Sequence, residues 1–164
     1  MSGNTIFNGN KVVFDAMVII NFHGLLALDK LISWAKGEIV IEQHIKKEVK
    51  FSKAGPIDLT QYLKDSSVIE EEISGQEQEE LFYQYFKSTI GKTKIDAGEA
   101  ACLALAINKG YGLASDERAV REEFKRKCSK KICVSSWMIV DKAAGLGLLG
   151  AQEAEDLKKG FFYV

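Results

Sequence analysis

The chain has 164 residues, of which 46% are hydrophobic and 27% are charged, as in an ordinary globular protein. The formal net charge of −1 excludes a uniformly basic protein, so any contact with nucleic acid requires a local basic surface. The three cysteines lack CxxC spacing, which predicts free thiols and a cytoplasmic location. The apolar run at residues 16–20 is far too short to cross a bilayer, and no signal for export is expected.

The first predicted elements alternate between strand and helix. Residues 11–15 form a buried parallel strand that ends in Asp15, and an apolar helix begins directly after it. A second helical pattern spans residues 25–35, and residues 38–41 form the next strand. Asp15 either caps the helix that follows it or serves as a functional carboxylate at the carboxyl edge of the sheet. Asn21 is either a polar group supporting that carboxylate or a helix-surface amide.

The middle of the chain is more charged. Residues 44–51 form a predicted short helix that carries Glu48, which by itself is typical of a surface glutamate. Residues 59–63 and 67–69 predict a short helix and a short edge strand. The six glutamates of residues 70–80 and the aromatic residues after them predict one helix with a solvated face over a buried stripe. A partner-binding face is the alternative.

Residues 95–121 are the most informative stretch, and they predict a helix, a stop at Gly110, a short strand and a second helix. Asp96 and Glu99 fit a capping box at the first helix. Ser115 is a candidate cap for the second helix, with Asp116 beside it. Because both turns open on the carboxyl edge of a parallel sheet, where ligands bind, the same acids are also candidates for a functional site.

The last third of the chain is basic at first and then apolar. Residues 118–131 hold seven basic side chains, which form either a solvated helix face or a phosphate-contacting surface. Residues 132–134 predict a strand, Ser135 or Ser136 caps a helix at residues 137–144, and residues 151–159 form a last helix. Residues 161–164 are a candidate edge strand. The alternation of elements predicts one α/β domain over residues 1–164.

Five segments of the chain resemble the PIN-domain family, a nuclease fold that includes the VapC-type toxins. They are VVFDAMVIINF, HIKKEV, IDAGEAACLALA, LASDERAVR and VSSWMIVDKAAGLGLL, in family order over nearly the whole chain. The resemblance implies a three-layer α/β/α fold with a mostly parallel central sheet. It also implies an acidic pocket that binds Mg²⁺ or Mn²⁺, since hard cations relieve the repulsion between clustered carboxylates.

The resemblance implies an activity and assigns residues to it. It predicts a metal-dependent endoribonuclease that acts on RNA, the toxin of a toxin–antitoxin pair, with a small antitoxin protein as partner and with room for a homodimer. The implied catalytic acids are Asp15, Glu48, Glu99 and Asp116. The implied metal ligands are Asp15, Glu99, Asp116 and, as an additional candidate, Asp96. The candidate substrate contacts are Arg118, Arg121 and Asn21.

The sequence departs from the family pattern at two places. Ala16 and Met17 stand where the family often has Ser, Thr or Asn, and Glu117 replaces the second acid of a common Asp-Asp pair. The alternative is therefore a PIN-like interaction module with weak or lost nuclease activity. A haloacid-dehalogenase-like phosphatase also places Asp after a first strand, but it needs a second Asp where Met17 stands.

Overall fold

Short apolar segments form the strands of the protein, for which a computed structural model describes residues 5–161. In chain order, the strands are β1 (Val12–Phe14), β2 (Ile39–Glu42), β3 (Phe51–Ser52), β4 (Gly55–Pro56), β5 (Val68–Glu71), β6 (Thr89–Ile90), β7 (Thr93–Lys94), β8 (Gly112–Ala114) and β9 (Cys133–Val134).

Helices connect most of these strands and cover the sheet. They are α1 (Ala16–Gly24), α2 (Leu28–Trp34), α3 (Gln43–Glu48), α4 (Thr60–Lys64), α5 (Gln76–Tyr85), α6 (Ala97–Lys109), α7 (Arg118–Lys127), α8 (Ser136–Gly145) and α9 (Ala151–Gly160). None of the helices within residues 5–161 is long and apolar enough to span a membrane.

The central sheet is parallel, with five strands among the described residues in the order β5-β2-β1-β8-β9. In its middle, Val13 of β1 lies opposite Val40 of β2 on one side and Leu113 of β8 on the other. β3 with β4 and β6 with β7 form two small antiparallel hairpins outside this sheet. The predicted three-layer α/β/α fold with a mostly parallel sheet is confirmed.

The innermost strands are short and apolar because both of their faces are buried. Every residue of β1 and β8 is buried. α6 packs close to them through a run of mostly small side chains, buried from Ala100 to Ala106. A Cβ at Gly112 would stand 2.8 Å from the Ile132 carbonyl oxygen, so only glycine allows β8 to lie this close to its neighbour. Gly110 ends α6 in the left-handed conformation, with φ of 70°, as predicted.

The structure corrects two local predictions, and a third lies almost entirely outside the described residues. The acidic segment is not one helix, because Glu70 and Glu71 belong to edge strand β5 and α5 begins only at Gln76. The helix predicted for residues 44–51 ends at Glu48, and the chain then enters the β3–β4 hairpin. The candidate strand at residues 161–164 lies outside the described residues, apart from Phe161, which follows α9 without strand pairing.

Ser115 is not the cap of α7, which begins after Glu117 and has no side-chain cap. The Ser115 hydroxyl instead accepts a hydrogen bond from the Glu117 amide at 3.2 Å and donates one to Asp15 at 3.0 Å. By contrast, Ser135 caps α8, as predicted, by accepting from the Met138 amide. Of the two helices that follow the acidic turns, α6 has a side-chain cap, from Asp96, and α7 has none.

Candidate acidic site

Asp15 lies where β1 ends, and the sheet itself fixes its backbone. Its amide donates to the Ala114 carbonyl of the neighbouring strand at 2.8 Å. One carboxylate oxygen accepts from the Ala16 amide at 2.8 Å, which makes Asp15 the N-cap of α1, and the other accepts from the Ser115 hydroxyl. The residue is only 7% exposed. Asp15 therefore caps α1 and also stands at the carboxyl edge of the sheet.

Asp116 lies two residues beyond the end of β8, on the strand next to β1. Its Oδ1 accepts from the Ser136 amide at 2.7 Å, and its Oδ2 accepts from the Ser136 hydroxyl at 2.6 Å and from the Asn21 side-chain amide at 2.7 Å. Three of about four lone-pair positions of the carboxylate are thus occupied, and its orientation is fixed. Asn21, a predicted substrate contact, lies buried against this carboxylate.

Asp96 and Glu99 form the predicted capping box at the start of α6. The Asp96 carboxylate accepts from the Glu99 amide at 2.8 Å, and the Glu99 carboxylate accepts from the Asp96 amide at 3.0 Å. The capping box therefore places Asp96 and Glu99 near the same edge of the sheet as Asp15. The capping interpretation and the functional interpretation do not exclude each other, because each carboxylate keeps free lone pairs.

Glu48 is the last residue of α3, which packs against α6. The buried Glu42 at the end of β2 caps this helix by accepting from the His44 amide, and it also accepts from the Ile73 amide. Glu48 is more exposed than the two aspartates and stands at the rim of the site. Helix packing, and not a strand end, brings Glu48 to the other acids.

One cavity of about 350 Å³ collects all of these carboxylates. Its lining consists of the acids Asp15, Glu48, Asp96, Glu99, Asp116 and Glu117 and the apolar residues Ala16, Met17 and Ile20, so no described lining residue is basic. A larger cavity of about 560 Å³ beside Val49 and Leu63 mixes lysines with scattered acids and has no such concentration of one charge. The smaller cavity is therefore the candidate site.

Burial and mutual repulsion make these acids hard to ionise. Burial raises the pKa of Asp15 to about 6, and the charges of Asp96 and Asp116 add to the effect. The pKa of Glu48 and of Glu99 rises to about 7, because both carboxyl groups lose solvent and lie near the charges of Asp96 and Asp15. Burial also raises the pKa of Asp116, against its hydrogen bonds. A cation in the cavity would relieve all four shifts.

The two predicted substrate arginines lie next to the cavity but do not line it. Arg121 donates from Nη1 to the Ser115 carbonyl oxygen at 2.8 Å, and its charge lowers the pKa of Asp116. The exposed Arg118 forms an ion pair with Glu122 at 2.9 Å. Arg121 is thus fixed close to the acids, whereas Arg118 is held along the outer face of α7.

The donor chemistry of the cavity fits a hard divalent cation, since such ions prefer carboxylate oxygens. The geometry is not yet assembled for one. Within residues 5–161, no group of three or more His, Cys, Asp or Glu side chains is arranged to hold a metal ion. Binding would therefore require rotation of some of these side chains toward a common point.

Two serines that donate hydrogen bonds to the acids are predicted from the sequence only as candidate helix caps. Ser115 and Ser136 are fully buried, and their hydroxyls donate to Asp15 and Asp116. Each follows a strand of the sheet by one or two residues, in the same position as the acids. That position, where polar side chains reach the carboxyl edge of a parallel sheet, is the signal that could have identified them.

Comparison with protein families agrees with this geometry. A family model described as a PIN domain matches residues 11–155, a span that contains every acid of the cavity. Comparisons with curated proteins and with solved structures found no significant match. The family model matches far more than half of the chain, and the parallel sheet and the acids at its carboxyl edge agree with it. The chain belongs to the PIN domain family, whose fold is of the nuclease type.

Proposed function

We propose that the protein is a metal-dependent endoribonuclease that hydrolyses phosphodiester bonds in single-stranded RNA, as a toxin of the VapC-like type. One observation carries the proposal: in a PIN domain, six acidic side chains line a single cavity that has no basic residue in its described lining. A globular protein does not gain stability from gathering like charges, so such a cluster favours a functional role. The raised pKa values of its acids support the same conclusion.

Asp15, Asp96, Glu99 and Asp116 would hold Mg²⁺ or Mn²⁺. When bound, such an ion supplies a Lewis acid that activates water and stabilises negative charge on a phosphate group. The chain prepares the ligands for this role: Ser115 orients Asp15, and Ser136 with Asn21 orients Asp116. Fixed carboxylates lose little conformational freedom when they bind.

Glu48 and Glu99 are suited to move protons at the same site. In the metal-free site, with pKa values of about 7, each carboxyl group exists in both its ionised and its protonated form at neutral pH. A bound cation would lower both pKa values, so each group would release its proton as the cation binds and would then be able to accept one at its carboxyl oxygens. Arg121, fixed close to Asp116, would contact the phosphate of the substrate, and Arg118 would contact the adjoining backbone.

The toxin part of the proposal implies a small antitoxin protein as partner, in the cytoplasm, where free thiols such as Cys102, Cys128 and Cys133 persist. A homodimer is compatible with this proposal. A small protein encoded beside this one that binds it and blocks cleavage would support the toxin assignment. If the neighbouring protein neither binds this protein nor inhibits cleavage, the toxin assignment fails and the nuclease proposal stands.

The second candidate function is an interaction module with weak or lost nuclease activity. Ala16, Met17 and Ile20 form an apolar wall in the cavity, where hydroxyl or amide groups would provide further ligands. The described acids are also not arranged to hold an ion as they stand. This candidate predicts that RNA is bound without being cleaved, and that polar residues at positions 16 and 17 restore activity.

The test is to incubate the purified protein with a pool of structured and unstructured RNAs in Mg²⁺, Mn²⁺ or EDTA. We expect cleavage of unstructured RNA with either metal and none in EDTA. Asp15→Asn and Asp116→Asn should abolish cleavage with the fold intact, because each removes a charge and almost no volume. The matched control is Asp156→Asn, an exposed acid on α9. Cleavage that survives EDTA, or that both site variants retain, would overturn the proposal.

A further inference from the structure

Gly98 occupies an unusual position for a glycine, in the first turn of α6. The rest of this turn is built from alanine and the capping-box acids, and glycine inside a helix costs roughly 1 kcal/mol relative to alanine. Gly98 is buried, and its φ is not positive, so the backbone does not require a glycine here. Another feature of this position must account for the missing side chain.

The reason lies across the helix interface. A Cβ at Gly98 would stand 2.5 Å from Oε1 of Glu48, 3.0 Å from Cδ of Glu48 and 2.9 Å from Cδ1 of Ile45. Carbon atoms do not approach a carboxylate oxygen this closely, so any larger residue would displace Glu48. The carboxylate of Glu48 thus lies directly on the surface that Gly98 leaves open.

From this contact we infer that Gly98 is a positioning residue, which admits the Glu48 carboxylate to the acidic cavity as a further oxygen ligand of the divalent cation, beside the four acids proposed above. The inference rests on the proposed metal-dependent function and deepens it. Glu48 comes from a helix and not from a strand end, so packing alone sets its place. The cap on α3 from Glu42 fixes one end of that helix, and Gly98 sets how closely the other end can approach.

The decisive experiment measures Mn²⁺ binding by calorimetry at about pH 8, above the raised pKa values of the acids. Gly98→Ala should weaken Mn²⁺ affinity by roughly ten-fold or more, the usual effect of disturbing the groups that orient metal ligands. In a Glu48→Ala background, Gly98→Ala should change the affinity no further, because the carboxylate that it displaces is gone. Gly145→Ala, at a helical glycine with nothing within 4 Å of the added carbon, is the matched control and should leave binding unchanged.

A purely structural role for Gly98 would give a different pattern. If the added methyl acted through Ile45, Ile45→Val, which removes Cδ1, would restore Mn²⁺ binding to Gly98→Ala, whereas we expect no recovery. Equal affinity of wild type and Gly98→Ala, or additive losses with Glu48→Ala, would overturn the inference while leaving the proposed function in place. A wild-type protein that binds no Mn²⁺ would overturn both, and thermal melts in EDTA confirm that each variant is folded.

Discussion

Asp15 shows how a single residue can be costly to the fold and useful to the site. It is 7% exposed, and its two hydrogen-bond donors do not offset the loss of solvent, so its pKa rises from 3.8 to about 6. Between these two values, the folded state binds more protons than the unfolded state. The free energy of unfolding of the metal-free protein therefore falls as pH rises from about 4 to about 6, and stays low above that range.

We predict that Asp15→Asn stabilises the metal-free protein at about pH 8, by on the order of 1–2 kcal/mol, and has no such effect near pH 4. Asparagine still accepts from the Ala16 amide and can pair with the Ser115 hydroxyl. Urea unfolding in EDTA at both pH values measures the difference. The exposed acid Asp156, changed to asparagine, should show no pH-dependent gain. Equal stability of wild type and Asp15→Asn at the higher pH would contradict the prediction.

At the scale of one element, α6 combines helix capping with the acidic cavity. Asp96 accepts from the Glu99 amide and also contributes a charge that raises the pKa of Asp15, Glu48 and Glu99. Two substitutions separate these roles, because serine keeps the N-cap and loses the charge, whereas alanine loses both the N-cap and the charge.

We predict that Asp96→Ala is less stable than Asp96→Ser by about 1 kcal/mol, because both variants remove the same charge and only serine keeps a side-chain cap on α6. Both variants should weaken Mn²⁺ binding equally, since both lack the carboxylate. Chemical unfolding measures the first quantity, and titration with Mn²⁺ measures the second. Unchanged Mn²⁺ affinity in Asp96→Ser would show that this residue is a cap alone and not a ligand.

The basic helix α7 gives a prediction about nucleic acid. Arg121→Ala should weaken RNA binding and reduce the slope of log affinity against log salt by roughly one phosphate contact. Binding is measured in EDTA, so that cleavage does not interfere. Lys159→Ala, which removes an exposed positive charge from α9, is the control and should leave the slope unchanged. An unaltered slope in Arg121→Ala would place the RNA elsewhere on the surface.

The elements that the sequence predicts well are those whose local pattern agrees with their packing. The strands around Val13 and Leu113 are apolar because both of their faces are buried. α6 ends at Gly110, whose backbone is in the left-handed conformation that favours glycine. The prediction of one helix for the acidic segment failed because glutamate favours helices, whereas Glu70 and Glu71 lie in an edge strand held by pairing with β2. Hairpins of two-residue strands leave too short a pattern to detect.

The residues of the candidate site also differ in how well the sequence predicts them. Asp15 and Asp116 can be predicted because a strand end is visible in the sequence and parallel strands share an edge. Glu48 is indicated only by family resemblance, since nothing local shows that α3 will lie against α6. The Gly98 contact could not be predicted, because it joins segments far apart in the chain.

For the whole molecule, metal binding and stability are linked. A cation that binds only the folded state stabilises it by about 2.7 kcal/mol at 100 times its Kd, and each kcal/mol shifts the Tm of a chain of this size by about 2–4 °C. We predict that millimolar Mn²⁺ raises the Tm at about pH 8 relative to EDTA at matched ionic strength. The double variant Asp15→Asn/Asp116→Asn should melt at the same temperature in both. An equal rise in wild type and the double variant would point to a site elsewhere.

The order of the central sheet has a consequence for how copies of the protein meet one another. Among the described strands, β9 at one edge has only two residues, and β5 at the other carries Glu70 and Glu71, with Glu70 paired to Lys46 at 2.9 Å. An open strand edge invites another chain to extend the sheet, and short or charged edge strands oppose this. Growth of fibrils by strand addition is therefore discouraged at both ends of the sheet, even while the crowded acids weaken the metal-free fold.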